Sequence, residues 1–151
     1  MRTVVIIRLT VLGFVAGFAA TLVFHQVAWA ALYVTGILPA GQPPWPLDPT
    51  PPFGVPSVIS KSFWGGLWGA GLATVLPSGR GRAYWLRWIA AGTIALTVVA
   101  NVVVPLIKGL GVQPLDARKL MVGCIVNGAW GFGTGLLLWL LRERRATRPI
   151  L

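Results

Sequence analysis

The sequence predicts an all-α, polytopic membrane protein: an antiparallel bundle of four transmembrane helices with both termini cytoplasmic. Apolar stretches at about residues 4–33, 57–76, 84–107 and 120–141 each approach the ~20 residues that cross a hydrocarbon core. Hydrophobic residues make up 56% of the 151 and charged residues 11%, against a charged share of roughly 25% in soluble domains. Nine basic residues (Arg2, Arg8, Arg80, Arg82, Arg87, Arg142, Arg144, Arg145 and Arg148) lie at the termini and in the second gap, whereas four (Lys61, Lys108, Arg118 and Lys119) lie on the other side. That imbalance is the positive-inside bias. Residues 1–151 leave room for a single helical domain, because the gaps are short.

The first stretch has two readings. Arg2 and Arg8, the run Leu9 to Phe24, and Ala28-Trp29-Ala30 resemble a secretory signal with a small-x-small cleavage site. The run exceeds the usual signal core, and apolar character continues through Leu32, Tyr33 and Val34, which favours an uncleaved helix. The orientation of the other three helices is the same either way.

The outer loop, 35–56, carries eight of the twelve prolines. Proline lacks a donor and fixes its backbone, so this segment is expected to be extended and semi-rigid, with Trp45 and Phe53 dipping toward the membrane interface. The second gap, Pro77-Ser78-Gly79-Arg80-Gly81-Arg82, reads as a tight basic turn. In the third gap Asp116 suits a first-turn position of the fourth helix, where a carboxylate complements the helix dipole. Tyr33, Trp64, Tyr84, Trp85, Trp88 and Trp139 fall near predicted helix ends, as aromatic belts do. The single cysteine, Cys124, lies inside the fourth stretch and reads as a small buried residue.

Lipid supplies no hydrophobic force between helices, so packing faces show as small and polar residues at i, i+4 spacing. The stripes are Gly13-Gly17-Thr21-His25, Lys61-Gly65-Gly69-Ala73, Thr93-Thr97-Asn101-Pro105 and Gly123-Asn127-Gly131-Gly135. Gly66-Leu-Trp-Gly-Ala-Gly also aligns with Gly128-Ala-Trp-Gly-Phe-Gly, which suggests two hairpins related as a parallel repeat, or chance likeness between Gly-rich helices. At 1.5 Å per residue, His25 lies roughly 25 Å from Arg8 and Asn127 roughly 22 Å from Arg142. The polar ends of the stripes therefore converge in the outer half of the bundle. His25, Gln26, Lys61, Asn101 and Asn127 form the candidate polar site, since ionisable groups within a membrane mark functional positions. The competing reading makes the asparagines interhelical hydrogen-bonding glue and lets His25 and Lys61 snorkel to the interface.

One histidine, one cysteine and three acids provide no ligand set for zinc, haem or an iron–sulfur cluster, and no phosphate loop, nucleophile elbow or paired carboxylate occurs. No cofactor, metal or enzymatic activity is expected. Nucleic acid is not an expected partner, because the basic residues are placed as membrane anchors.

The segments Phe24-His25-Gln26, Pro51-Pro52-Phe53-Gly54-Val55-Pro56 and Phe63-Trp64-Gly65-Gly66-Leu67-Trp68-Gly69 resemble uncharacterised small inner-membrane proteins of Gram-negative bacteria, best over the first half of the chain. That resemblance implies a multi-pass inner-membrane location and no particular activity. The expected role is a non-enzymatic accessory or assembly subunit, or a homo-oligomer, whose Gly-rich faces and stiff loop contact other membrane proteins or itself. The alternative is a small transporter or channel with an outward-facing polar site for a small solute or anion.

Overall fold

A computed structural model describes residues 2–79, 81–107, 109–111, 114 and 116–146, with the side chains of residues 2 and 143–146 outside the description. Arg80, Lys108 and Arg148 from the charge pattern lie outside the described residues, as do the side chains of Arg2, Arg144 and Arg145. The described residues are mainly helical. Helix α1 runs Arg2–Ala20, widens into a π turn over Thr21–His25 and continues as Gln26–Val34. Helix α2 spans Ser57–Val75. Helix α3 starts as Arg82–Ala90, carries π turns at Ala91–Leu96 and Val99–Val103, and ends with Val104–Ile107. Helix α4 spans Ala117–Ala146.

Three of these, Thr3–Val34, Arg82–Ile107 and Ala117–Arg142, are long and apolar enough to cross a membrane. Helix α2 is not among them. Its 19 residues rise about 28 Å, but Lys61, three serines and four glycines dilute its apolar character.

The helices pack in the order α2, α1, α4, α3. Close approach between α1 and α2 depends on glycine: a Cβ on Gly69 would stand 2.9 Å from the Gly17 Cα, and one on Gly17 would stand 3.0 Å from the Gly69 Cα. Helices α3 and α4 meet in the same manner, where a Cβ on Gly92 would lie 3.0 Å from the Gly131 Cα. The central seam joins α1 to α4. There the Trp130 indole N–H donates to the Gly17 carbonyl at 3.0 Å, and a Cβ on Gly65 of α2 would stand 3.1 Å from the same nitrogen. Trp130 therefore sits where three helices converge.

The segments aligned as a repeat have different surroundings. Trp130 is 1% exposed, while its counterpart Trp68 is 36% exposed on the outer side of α2. A Cβ on Gly133 would meet the Phe24 ring, whereas one on Gly71 would meet nothing within 4 Å.

Two apolar clusters cap the seam. Ala16, Ala73, Tyr84, Trp88 and Leu138 pack at the end that carries the termini. Leu32, Leu38, Val122 and Val126 pack at the opposite, loop end, with Trp29, Tyr33 and Ile37 against them.

The proline-rich segment departs from a simple extended strip. Pro49–Thr50 and Val55–Pro56 form a two-residue antiparallel ladder, with Thr50 opposite Val55. Trp45 folds back onto α1: its backbone N–H donates to Gln26 Oε1 and its indole N–H to the Leu22 carbonyl, both at 2.9 Å. The Leu22 carbonyl lies in the π turn, where the helical ladder is interrupted and a carbonyl can accept from outside. Trp45 adopts φ +49°, a left-handed conformation unfavourable for a bulky residue, and these two bonds hold it there. Phe53, expected at the interface, is 87% exposed near the tip of the ladder.

Candidate functional site

The five residues of the predicted polar site divide among four surroundings. Gln26 is buried and accepts from Trp45, so it anchors the loop. Lys61 lies over the Trp29 ring with its ammonium 5.8 Å from the centroid, a cation–π contact of about 0.5–1 kcal/mol at an open site. The Asn101 amide donates back to the Thr97 carbonyl of its own helix at 2.9 Å. Only His25 and Asn127 share a cavity.

That cavity, about 380 Å³ in volume, opens at the loop end between α1, α4 and the 37–42 segment. Its polar floor is His25 and Asn127, and Ala100 contributes from α3. The Asn127 amide donates to the Thr97 hydroxyl at 3.0 Å. Thr97 is buried between the two π turns of α3 and so receives both asparagines, one on its hydroxyl and one on its carbonyl. The His25 ring stacks on the Trp29 indole, with an 8° angle between planes and centroids 6.2 Å apart. His25 Nδ1 is closed off from solvent, with no hydrogen-bond partner among the described residues. The Trp29 N–H is fixed by the Gln42 carbonyl at 3.0 Å, which ties this wall to the outer loop.

The rim is charged. Asp116 Oδ1 accepts from the backbone N–H groups of Arg118 at 2.7 Å and Lys119 at 3.3 Å, closing two of the open donors at the start of α4. The Arg118 guanidinium donates to the carbonyls of Gly36 and Ile37 and so binds the end of α1 to the start of α4. Lys119 lines the same rim and has no hydrogen-bond acceptor among the described residues.

Of the packing glycines, Gly13, Gly17, Gly65 and Gly69 lie at the α1–α2 contact, and Gly123, Gly131 and Gly135 face Thr97 or Trp88 of α3. Six of the seven are buried among the chain's own helices, and Gly123 is half-buried and lines the cavity described above. Sequence reasoning missed Trp29, Asp116, Arg118 and Lys119 as members of one site, and Thr97 as the residue that holds Asn127 in it. Thr97 stood in a small-residue stripe and Asp116 had a capping signature, yet nothing local joins either to His25, which lies 72 or more positions away.

The cavity offers hydrogen-bonding groups at depth, a flat aromatic wall, apolar sides and a cation at the mouth. Such a combination has the chemistry by which pockets hold and orient small molecules. Among the described residues no group of three His, Cys, Asp or Glu is placed to hold a metal ion. No protein-family model, curated protein or solved structure matches this chain.

Proposed function

We propose that this chain is a non-enzymatic, four-span protein of a bacterial plasma membrane, with both termini cytoplasmic, that receives a small solute from the outer side in the His25–Asn127 pocket. The carrying observation is the 380 Å³ cavity at the loop end, which combines the polar side chains of His25 and Asn127 with a charged rim of Asp116, Arg118 and Lys119. The nine-to-four distribution of basic residues supports this orientation. Helix α2, though less apolar, is paired along its glycine face with α1 and is long enough to accompany it across the bilayer.

The accessory or self-associating role is the second reading, and a different observation favours it. Helix α3 packs chiefly on α4, and only 11% of its apolar window is buried within the chain. A second copy, or another membrane subunit, would find that face open. The Gly-rich stripes support this reading less, since they are already enclosed by the chain's own helices.

Accessibility labelling tests the pocket reading. In a Cys124→Ser background, Gln42→Cys at the rim and Val122→Cys on the wall should react with a membrane-impermeant thiol reagent added outside intact cells. Ser78→Cys, at the opposite end, should react only after permeabilisation. Labelling of Ser78→Cys from outside would reverse the orientation, and protection of Val122→Cys would mean that the cavity is closed to the outer solution.

A further inference from the structure

The pocket is polar at both ends and apolar between, and those ends differ in sign. At the floor, Asn127 commits its amide N–H to Thr97 Oγ1, so its Oδ1 is left to accept. No donor from the described residues reaches it. The half-buried Asn127 therefore presents to the cavity an acceptor that an entering donor can satisfy. His25 lines the same floor, with its Nδ1 closed off from solvent and without a hydrogen-bond partner among the described residues.

The walls are Trp29, Ile37, Leu38, Val122 and Val126, with the indole held flat by Gln42 on its edge and His25 stacked against it. At the mouth, Arg118 is occupied with two carbonyls and Asp116 with two backbone N–H groups. Among the described residues, the Lys119 ammonium is therefore the rim charge free to receive a partner. With the Asp116 carboxylate beside it, one negative charge is matched better than two.

Lys119 and Asn127 are eight residues apart on α4, about 12 Å along the axis. A lysine side chain reaches back over part of that distance. The cavity volume equals roughly a dozen water molecules in the liquid. That is room for one ring and a short arm. A diacyl lipid or an oligosaccharide is too large, and a bare inorganic anion would leave the aromatic wall and the Asn127 acceptor unused.

We infer that the pocket binds a small aryl monocarboxylate, its carboxylate at Lys119, its ring along Trp29, and a hydroxyl or N–H donor at its far end on Asn127 Oδ1. This deepens the outward-pocket reading and rests on it. The test is calorimetric titration of the detergent-purified full chain with 3-(4-hydroxyphenyl)propanoate, with 3-phenylpropanoate, which lacks the donor, and with 3-(4-hydroxyphenyl)propan-1-ol, which lacks the charge.

The phenolic acid should bind tightest, by about tenfold over each analogue, the discrimination expected of one buried hydrogen bond or one charge pair. Lys119→Ala, an exposed position where folding is not at stake, should erase the preference for acid over alcohol and keep the preference for phenol over phenyl. Asn127→Leu should do the reverse. Equal binding of the three probes, or equal binding to both variants, would overturn the inference as partition into the micelle. No binding at millimolar probe, together with outside labelling of Val122→Cys, would overturn the ligand class and leave the outward pocket standing. No binding together with a protected Val122→Cys would remove both.

Discussion

Substituting alanine for Gly69 or for Gly71, two positions apart on α2, should have opposite effects on stability. A Cβ at Gly69 would stand 2.9 Å from the Gly17 Cα and closer still to the Gly13 carbonyl oxygen, while ordinary contact begins near 3.4 Å. To accommodate it, α1 and α2 must part by about 1 Å, a gap that forfeits a quarter to a half of the dispersion attraction at each affected contact. Overpacking of this kind costs about 1–3 kcal/mol. At Gly71 nothing lies within 4 Å, so alanine meets open space, and its better helix propensity adds up to about 1 kcal/mol. The propensity gain is common to both helical positions, so the difference between the two variants should be the overpacking cost itself, about 1–3 kcal/mol, a factor of roughly 5 to 150 in the folded-to-unfolded ratio. Reversible unfolding in mixed micelles, followed by far-ultraviolet circular dichroism across a rising fraction of denaturing detergent, measures it. Coincident unfolding midpoints for G69A and G71A would refute the glycine-mediated contact between α1 and α2.

Trp130→Phe keeps most of the ring but removes the N–H donated to Gly17, and should lower stability by about 1 kcal/mol in the same assay. Tyr84→Phe, which deletes the 2.6 Å bond from the phenol to the Gly135 carbonyl, should lose a similar ~1 kcal/mol and separate α3 from α4 rather than α1 from α2. Gln26→Ala frees the Trp45 backbone N–H and should loosen the loop clamp, seen as faster proteolysis within residues 43–56 with helix content unchanged. Arg118→Ala should release the Gly36–Ile37 turn from α4, raising the labelling rate of Val122→Cys without shifting the G69A midpoint.

The legibility of this chain differs from element to element. The bounds predicted for the helices, about 4–33, 57–76, 84–107 and 120–141, differ from the observed ends by a few residues, because hydropathy and the proline-rich interruption are local properties. The polar site was less legible, for a geometric reason. The stripe Gly13-Gly17-Thr21-His25 assumes an uninterrupted α periodicity, but the π turn over Thr21–His25 changes the rotation of every residue beyond it. His25 and Gln26 are neighbours in sequence, yet one lines the cavity and the other clamps Trp45. The stripe Thr93-Thr97-Asn101-Pro105 runs through two further π turns. Pro105, which cannot donate to the carbonyl four residues back, gives one physical reason for the wider register ahead of it, and the sequence does not otherwise mark where that register begins.

The sequence by itself determined that the chain is helical, that much of its apolar length suits a bilayer, and which faces carry residues small enough for close packing. Each is set within one helix or one loop. Tertiary structure decided which faces meet: α1 on α2 through Gly17 and Gly69, α3 on α4 through Gly92 and Gly131, and Trp130 at their junction. It also decided that His25 and Asn127 share a pocket with Asp116 and Lys119, while Lys61, Gln26 and Asn101 take up other contacts. Those pairings join positions far apart along the chain and depend on register shifts made inside the helices, and hydropathy and spacing report on neither.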